Sequence, residues 1–185
     1  MTRGGFDPLV YRDPRPSPAL IRAFGPIVHD FVLPHIVHLR DIDLPAADLA
    51  RLRAAIRPGT AAFIGPNHPE FMTDWMLDKD VSRLVSPLMA HWASYEIVNP
   101  NPWAQAFWLR NNLIANAPGG GGKEYSIRWA RAGHGVLLHP EGTATWCADR
   151  IGPLVPGIVD MAWETCRQVA AEGATMPVYI VTVIW

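Results

Sequence analysis

The sequence predicts an α/β fold with a mainly parallel central sheet covered by helices. Short apolar runs alternate with longer segments of helical periodicity, and this alternation is typical of sheets whose parallel strands are joined by helices. The runs are rich in apolar residues, as expected of strands that are buried on both faces. Polar clusters follow two of the runs, and ligands of parallel sheets bind beyond the carboxyl ends of the strands.

Composition limits the class of protein. A chain of 185 residues is long enough for one domain with a substantial core. Its 16 basic and 17 acidic residues are balanced, so no nucleic-acid partner is predicted. Two cysteines form no disulfide framework, which favours a cytoplasmic setting. No uncharged run is long enough for a spanning helix of about 20 residues, and residues 1–18 lack the apolar core of a signal peptide.

Residues 1–40 are predicted to form an N-terminal extension with an amphipathic helical segment. An apolar stripe with helical spacing runs from Phe24 to Val32, and Pro26 and Pro34 should kink or divide the helix. Two interpretations remain open at this point. The helix packs on the domain, or it lies on a membrane surface.

Residues 41–185 are predicted to form the main domain. In its first part we expect a helix capped by Asp43 and ending at Gly59, a strand over 60–65 and a helix from Glu70. A second helical stretch is expected over 80–92, kinked or split at Pro87, followed by a helix near Trp103–Trp108 and a strand over 112–115. The second part is expected to contain a glycine-rich loop over 118–122, helices over 123–132 and 156–172, and strands over 136–138 and 177–184. The loop lacks the spacing and hydroxyl of a phosphate-binding loop.

Two polar clusters carry the candidate chemistry. The first is Asn67-His68 with Asp74, and the second is His139-Pro140-Glu141-Gly142-Thr143. An imidazole accepts a proton near neutral pH, and a carboxylate orients it and stabilises the imidazolium. The sequence contains no Gly-x-Ser-x-Gly elbow, so the nucleophile is expected to be a hydroxyl of the substrate. Each cluster alone is an ordinary turn, but together they predict one site.

In order and spacing, the clusters resemble the motifs of the glycerolipid acyltransferase superfamily, which includes the lysophosphatidic acid acyltransferases. The matching residues are Asn67, His68 and Asp74 in the first motif, then Leu137, Leu138, Pro140, Glu141, Gly142 and Thr143 in the second. Similarity extends over about residues 55–185 and implies an acyltransferase-like fold. It also implies that the chain stops short of the C-terminal part of the usual domain.

The resemblance implies transfer of a fatty acyl group from acyl-CoA or acyl-carrier protein to a lipid-like alcohol, such as a lysophospholipid. His68 would be the general base, assisted by Asp74. Asn67, Glu141, Gly142 and Thr143 would bind or position the substrate. The thioester is a co-substrate, and no other cofactor and no metal are implied. Members of the family commonly sit on membranes, so peripheral contact with the inner face of the membrane is expected.

Several residues depart from the family pattern. Five residues separate His68 from Asp74 where the family has four, which leaves Glu70 as the alternative partner. His139 replaces a phenylalanine, and Ala144 replaces an arginine. The basic residues that hold the acceptor's phosphate in the family have no clear counterpart. A non-phosphorylated acceptor is therefore one hypothesis, and a catalytically silent lipid- or partner-binding protein is the alternative.

Overall fold

The computed structural model describes residues 6–40, 42–70, 73–144 and 152–185. These residues contain a five-stranded sheet in which every strand pair is parallel. The strands are β1 (Ala61–Pro66), β2 (Ala90–Ser94), β3 (Leu113–Asn116), β4 (Val136–Leu137) and β5 (Val178–Val183), in the spatial order β3-β2-β4-β1-β5. The predicted parallel α/β architecture is confirmed.

Helices connect the strands, as parallel pairing requires. The connecting helices are α3 (Thr73–Val85), α4 (Tyr95–Val98), α5 (Pro102–Arg110), α6 (Gly122–Arg131) and α7 (Gly157–Ala171), while α1 (Pro18–Ile27) and α2 (Ala46–Ala55) precede β1. A π-helical segment, Val28–Val37, continues directly from α1. The strand that precedes the first polar cluster and the two elements that close the chain agree with the predictions to within two residues.

The core lies on both faces of the sheet. On one face, Phe63 and Val136 pack in a cluster with Ile127 of α6 and Met161 of α7. On the other face, the cluster contains apolar side chains of α2, β1 and β4 and the residue before β2, namely Ala55, Ile56, Ala62, Ile64, Leu137 and Met89. All six residues of β1 are buried, which explains why this strand reads as an uninterrupted apolar run.

One predicted helix and one predicted helix cap are wrong. The helix expected over residues 80–92 does not exist as such, because α3 continues to Val85 and β2 begins at Ala90. Pro87 lies between them and ends helical hydrogen bonding, so the chain turns into a strand. Asp43 does not cap α2, which begins after Pro45 without a side-chain cap.

Cys166 is an exposed free thiol, and Cys147 lies outside the described residues.

The N-terminal helical segment is continuous from Pro18 to Val37, and its hydrogen bonding changes from α to π just after Pro26. Proline donates no hydrogen bond, so a change of pairing close to it is expected. By length and composition these 20 residues are sufficient to cross a membrane. Counting uncharged runs did not reveal this segment, because it contains Arg22 and Asp30.

Candidate active site

The two polar clusters lie at the same edge of the sheet. The first follows β1 and the second follows β4, and these strands are parallel neighbours with Ile64 paired to Leu137. The N–H of Leu138 donates to the carbonyl of Ile64 over 3.0 Å, which extends the pairing toward the clusters. A Cβ at Gly65 would lie 3.1 Å from Cδ1 of Ile158, which is tighter than an ordinary contact, and 3.6 Å from Pro140, which is an ordinary one. The absence of a side chain at Gly65 therefore lets α7 pack closely on β1 below the two loops.

His68 and Asp74 form a close pair. The Nδ1 of His68 lies 2.6 Å from Oδ2 of Asp74, the length of a strong hydrogen bond to a charged acceptor. Asp74 also accepts from the N–H groups of Trp75 at 2.7 Å and Glu70 at 3.3 Å. Because α3 begins at Thr73, its first turn carries this carboxylate. Asp74 is therefore the carboxylate that contacts the imidazole, and Glu70 donates its backbone N–H to that carboxylate.

Exposure differs sharply within this pair. The side chain of His68 is 15% exposed, whereas that of Asp74 is 1% exposed. With Nδ1–H donated to Asp74, the lone pair of a neutral His68 lies on Nε2. The pair thus consists of a solvent-accessible imidazole and a buried carboxylate that fixes its tautomer. This is the arrangement of a general base with its orienting acid.

Glu141 connects the two loops. Its Oε1 accepts from the backbone N–H of His68 over 2.8 Å, and its Oε2 accepts from the N–H of Gly152 over 2.9 Å. The side chain is buried, with 6% of the residue exposed. Both carboxylate oxygens are therefore engaged by backbone groups, and they hold the His68 turn against the segment that leads into α7.

Asn67 ties the same turn to the sheet edge. Its N–H donates to the carbonyl of Val183 over 3.1 Å, and its Oδ1 accepts from the N–H of Trp185 over 2.8 Å. The Asn67 carbonyl faces Nδ1 of His139 at 3.2 Å. The side chain and backbone of Asn67 thus fix the position of His68 relative to β5 and the second cluster.

A second histidine–aspartate pair lies beside the first. His139 Nε2 is 3.0 Å from Oδ2 of Asp78, an ion-pair distance, although its direction is poor for a hydrogen bond. The two ring nitrogens of His139 thus face two oxygen acceptors, the Asn67 carbonyl and the Asp78 carboxylate. A neutral imidazole has only one N–H, so these surroundings favour a protonated His139 beside an ionised Asp78.

The raised pKa of His139 agrees with that protonation, whereas the net rise in the pKa of Asp78, caused by burial, opposes its ionisation. Burial lowers the pKa of His139, but the Asp78 carboxylate more than offsets it, and the net effect is a raised pKa. Burial raises the pKa of Asp78, and His139 opposes the rise. The pair therefore holds one proton in a buried position, at which neither group alone would readily carry charge.

The two imidazoles are stacked. The ring centroids of His68 and His139 are 4.1 Å apart, and the ring planes are inclined by 19°. Because Asp74 and Asp78 are four residues apart on α3, they lie on the same face of the helix and approach the stacked rings together. The site is thus a layer of two imidazoles backed by two buried carboxylates.

Histidine and aspartate side chains can also coordinate a metal ion. Of the described residues, His68, Asp74 and His139 form one group whose ligand atoms lie within 4.8 Å of one another. However, two ligands of one tetrahedral zinc ion, each about 2.0–2.2 Å from it, lie more than about 3 Å apart. The 2.6 Å contact between His68 and Asp74 is shorter than that, and it is the distance of a hydrogen bond.

The remaining predicted site residues lie in the second loop. Gly142 has φ of 71°, as its predicted turn requires, and its N–H donates to the carbonyl of His139 over 3.2 Å. Thr143 is exposed and is followed, after Ala144, by residues outside those described. Sequence reasoning missed Asp78, and it included His139 in the second cluster and noted it as a departure from the motif without assigning it a role. The four-residue spacing of Asp74 and Asp78 on one helix was the available signal.

Comparisons with known proteins identify no relative: no family model, no curated protein and no solved structure matches the chain.

Proposed function

We propose that the protein transfers an acyl group from a thioester to the hydroxyl of a lipid-like alcohol, with His68 as general base. The observation that carries the proposal is the 2.6 Å contact between Nδ1 of His68 and the buried Asp74 carboxylate. The order of the two loops, which resembles the motifs of the glycerolipid acyltransferases, supports the reaction class. The proposed donor is acyl-CoA or acyl-carrier protein.

In the proposed reaction, Nε2 of His68 accepts the proton of the acceptor hydroxyl as the oxygen attacks the thioester carbonyl carbon. A C–O bond forms, and the tetrahedral intermediate then collapses with cleavage of the C–S bond. The thiolate leaves and takes the proton back from the imidazolium of His68. Asp74 stabilises that imidazolium while it exists, and such general acid–base catalysis contributes about 10²–10⁴-fold in rate.

The other residues hold the base in place. Glu141 is proposed to position the His68 loop through its two backbone hydrogen bonds, and it need not touch the substrate. Gly142 permits the turn that carries Glu141. Asn67 fixes the base against β5. Thr143, which is exposed at the end of the described loop, is the member of this set with access to an acceptor.

The acceptor is proposed to be a non-phosphorylated alcohol or a lysophospholipid whose phosphate lies away from the reacting hydroxyl. Where the family carries a phosphate-holding arginine after the second motif, this chain has Ala144, which is 8% exposed.

Contact with a membrane surface is part of the proposal for a cytoplasmic protein. On the N-terminal helix, the side chains of Ile27, Phe31 and Ile36 are 52%, 56% and 55% exposed. Such apolar side chains on an amphipathic helix favour the interface of a bilayer. Replacing all three with serine should reduce cosedimentation with vesicles. Trp163→Ser, which removes another exposed apolar side chain on α7, is the matched control.

The test of the reaction is release of free CoA from a series of acyl-CoAs, with water, glycerol, long-chain alcohols and lysophospholipids as acceptors. His68→Ala should abolish acceptor-dependent release. His35→Ala, which removes an exposed histidine of the π-helical segment, should leave it unchanged. Undiminished release in His68→Ala would refute the mechanism. Release with water alone would instead identify a thioester hydrolase.

A catalytically silent lipid- or partner-binding protein is the second candidate. One observation favours it: both oxygens of Glu141 are occupied by backbone donors, so the second loop serves the fold even without a reaction. This candidate predicts no CoA release with any acceptor, together with vesicle binding that His68→Ala does not change.

A further inference from the structure

A cavity of about 280 Å³ lies between the N-terminal helix and α3, away from the polar loops. Its volume is close to the lower end of the range of about 300–1,000 Å³ typical of small-molecule sites. The described residues that line it include none of those that form the two histidine–aspartate pairs. Its function is therefore a separate question from that of the His68 site.

One wall of the cavity is apolar. Ile21, Phe24 and Val28 contribute one side, and Pro26 and Pro87 lie beside them. Ile21 and Val28 are buried, with 8% and 1% exposure, so this wall is fixed in the fold. A ligand here would bury an apolar body against rigid side chains.

The polar part of the cavity is cationic. Arg22, Lys79 and Arg83 line it, and no described lining residue is an aspartate or a glutamate. Asp80 compensates part of this charge, since its Oδ1 pairs with Nε of Arg83 at 2.8 Å. Its Oδ2 lies 3.1 Å from Nδ1 of His29. One carboxylate is thus shared by two basic side chains, which leaves the cavity with an excess of positive charge.

Lys79 is the deepest of the three cations. Its Nζ donates to the carbonyl of Asn111 over 3.2 Å, and protein atoms surround it closely, although solvent still reaches part of the side chain. Burial lowers the pKa of Lys79 to about 7, and Asp78 opposes that shift. The other charged or titratable groups around it are Arg22 from α1, Arg83 and Asp80 from α3, and the buried His91 from β2. The charge of Asp78 thus offsets only part of the effect of burial on the ammonium of Lys79.

We propose that this cavity is a binding site for a small organic oxyanion, a phosphate monoester or carboxylate carried on a compact apolar body. The oxyanion would lie against Lys79, Arg22 and Arg83, and the apolar body would lie against Ile21 and Phe24. Charge-assisted hydrogen bonds to such groups are the strong ones, and the apolar wall adds burial that a bare inorganic anion cannot gain. The site does not depend on the proposed acyl transfer.

The proposal is tested by calorimetry at pH 8 with hexyl phosphate as the probe, against inorganic phosphate and hexanol. Hexyl phosphate should bind at one saturable site and at least about tenfold more tightly than either control, a difference of about 1.4 kcal/mol. At this pH the phosphate is already fully ionised, since its second pKa is about 6. Lys79 should therefore take up a proton on binding, which appears as a heat that differs between HEPES and Tris buffers.

Substitutions of Lys79 and Arg22 separate their contributions to hexyl phosphate binding. Lys79→Met should weaken hexyl phosphate binding about tenfold and abolish the proton uptake. Lys79→Arg should retain binding without uptake, because arginine stays charged. Arg22→Met, at an exposed position that tolerates change, should weaken binding, and Arg51→Met on α2 is the matched surface control. Equal binding of hexanol or inorganic phosphate, affinity unaffected by Lys79→Met and Arg22→Met, or no binding would each overturn the proposal.

Discussion

Glu141 joins the two polar loops through backbone hydrogen bonds, and its replacement by glutamine measures that connection. A glutamine has one oxygen and one amide nitrogen, so it can accept from only one of the two N–H groups of His68 and Gly152. The other N–H would face a second donor. A hydrogen bond to a charged group contributes about 1.5–3 kcal/mol, and the easier burial of an uncharged side chain offsets part of its loss.

The expected result for Glu141→Gln is a decrease of about 1–2 kcal/mol in the free energy of unfolding, measured by urea titration. Glu124→Gln makes the same substitution at an exposed position of α6 and should change stability by less than about 0.5 kcal/mol. In the thioester assay, Glu141→Gln should lower kcat more than it changes KM, because the base is displaced. Stability equal to that of the control variant, combined with a selective rise in KM, would refute the reasoning and make Glu141 a substrate ligand.

Three other perturbations follow from the same geometry. Asp74→Asn should lower kcat for acceptor-dependent CoA release by about 10²–10⁴-fold, since the imidazolium loses its buried carboxylate; a loss below tenfold would contradict the role of the pair. Asp78→Asn tests the raised pKa of His139. The wild-type protein should have a higher free energy of unfolding than the variant, with the largest difference below pH 6.5 and a decrease above it of at most about 1.4 kcal/mol per pH unit. A difference that stays constant in melts at several pH values would exclude the buried proton. Gly133→Ala should lower the free energy of unfolding by about 1–3 kcal/mol more than Gly119→Ala does. Both glycines have positive φ, but of the two only Gly133 would place its Cβ 2.5 Å from a carbonyl oxygen, that of Arg57. Equal midpoints of urea unfolding for the two variants would refute this.

The sequence was most informative where one physical effect dominated. Residues 60–65 and 177–184 are apolar or β-branched, and both become parallel strands. The predicted inner face of the last helix is also confirmed, since Ile158, Met161 and Thr165 are all buried. In β1, burial of every residue explains the apolar pattern. Strand β5 lies at the edge of the sheet and has no buried residue, so there the β-branched residues favour the extended backbone.

Sequence reasoning failed where the pattern was short or mixed. Strand β2 contains His91 and Trp92, and His91 is fully buried with its Nε2 2.9 Å from the hydroxyl of Ser82. A buried polar side chain whose hydrogen-bond partner lies in another element cannot be recognised from local periodicity. The second histidine–aspartate pair was missed for a similar reason, since Asp78 and His139 are far apart in the chain. The contact between His68 and Asp74, in contrast, joins residues only six positions apart in the chain, and it was predicted.

Strand β4 has only two residues, yet it lies between β1 and β2 and pairs with both. The chain must therefore bring residues 61–66, 90–94 and 136–137 together before the middle of the sheet is continuous, and closing such long loops is slow compared with local helix formation. His139 and Glu141 follow β4 directly, so their loop can reach His68 only after that strand has inserted. Amide exchange of Leu137 and Leu138 should consequently report on the same opening event that separates the two loops.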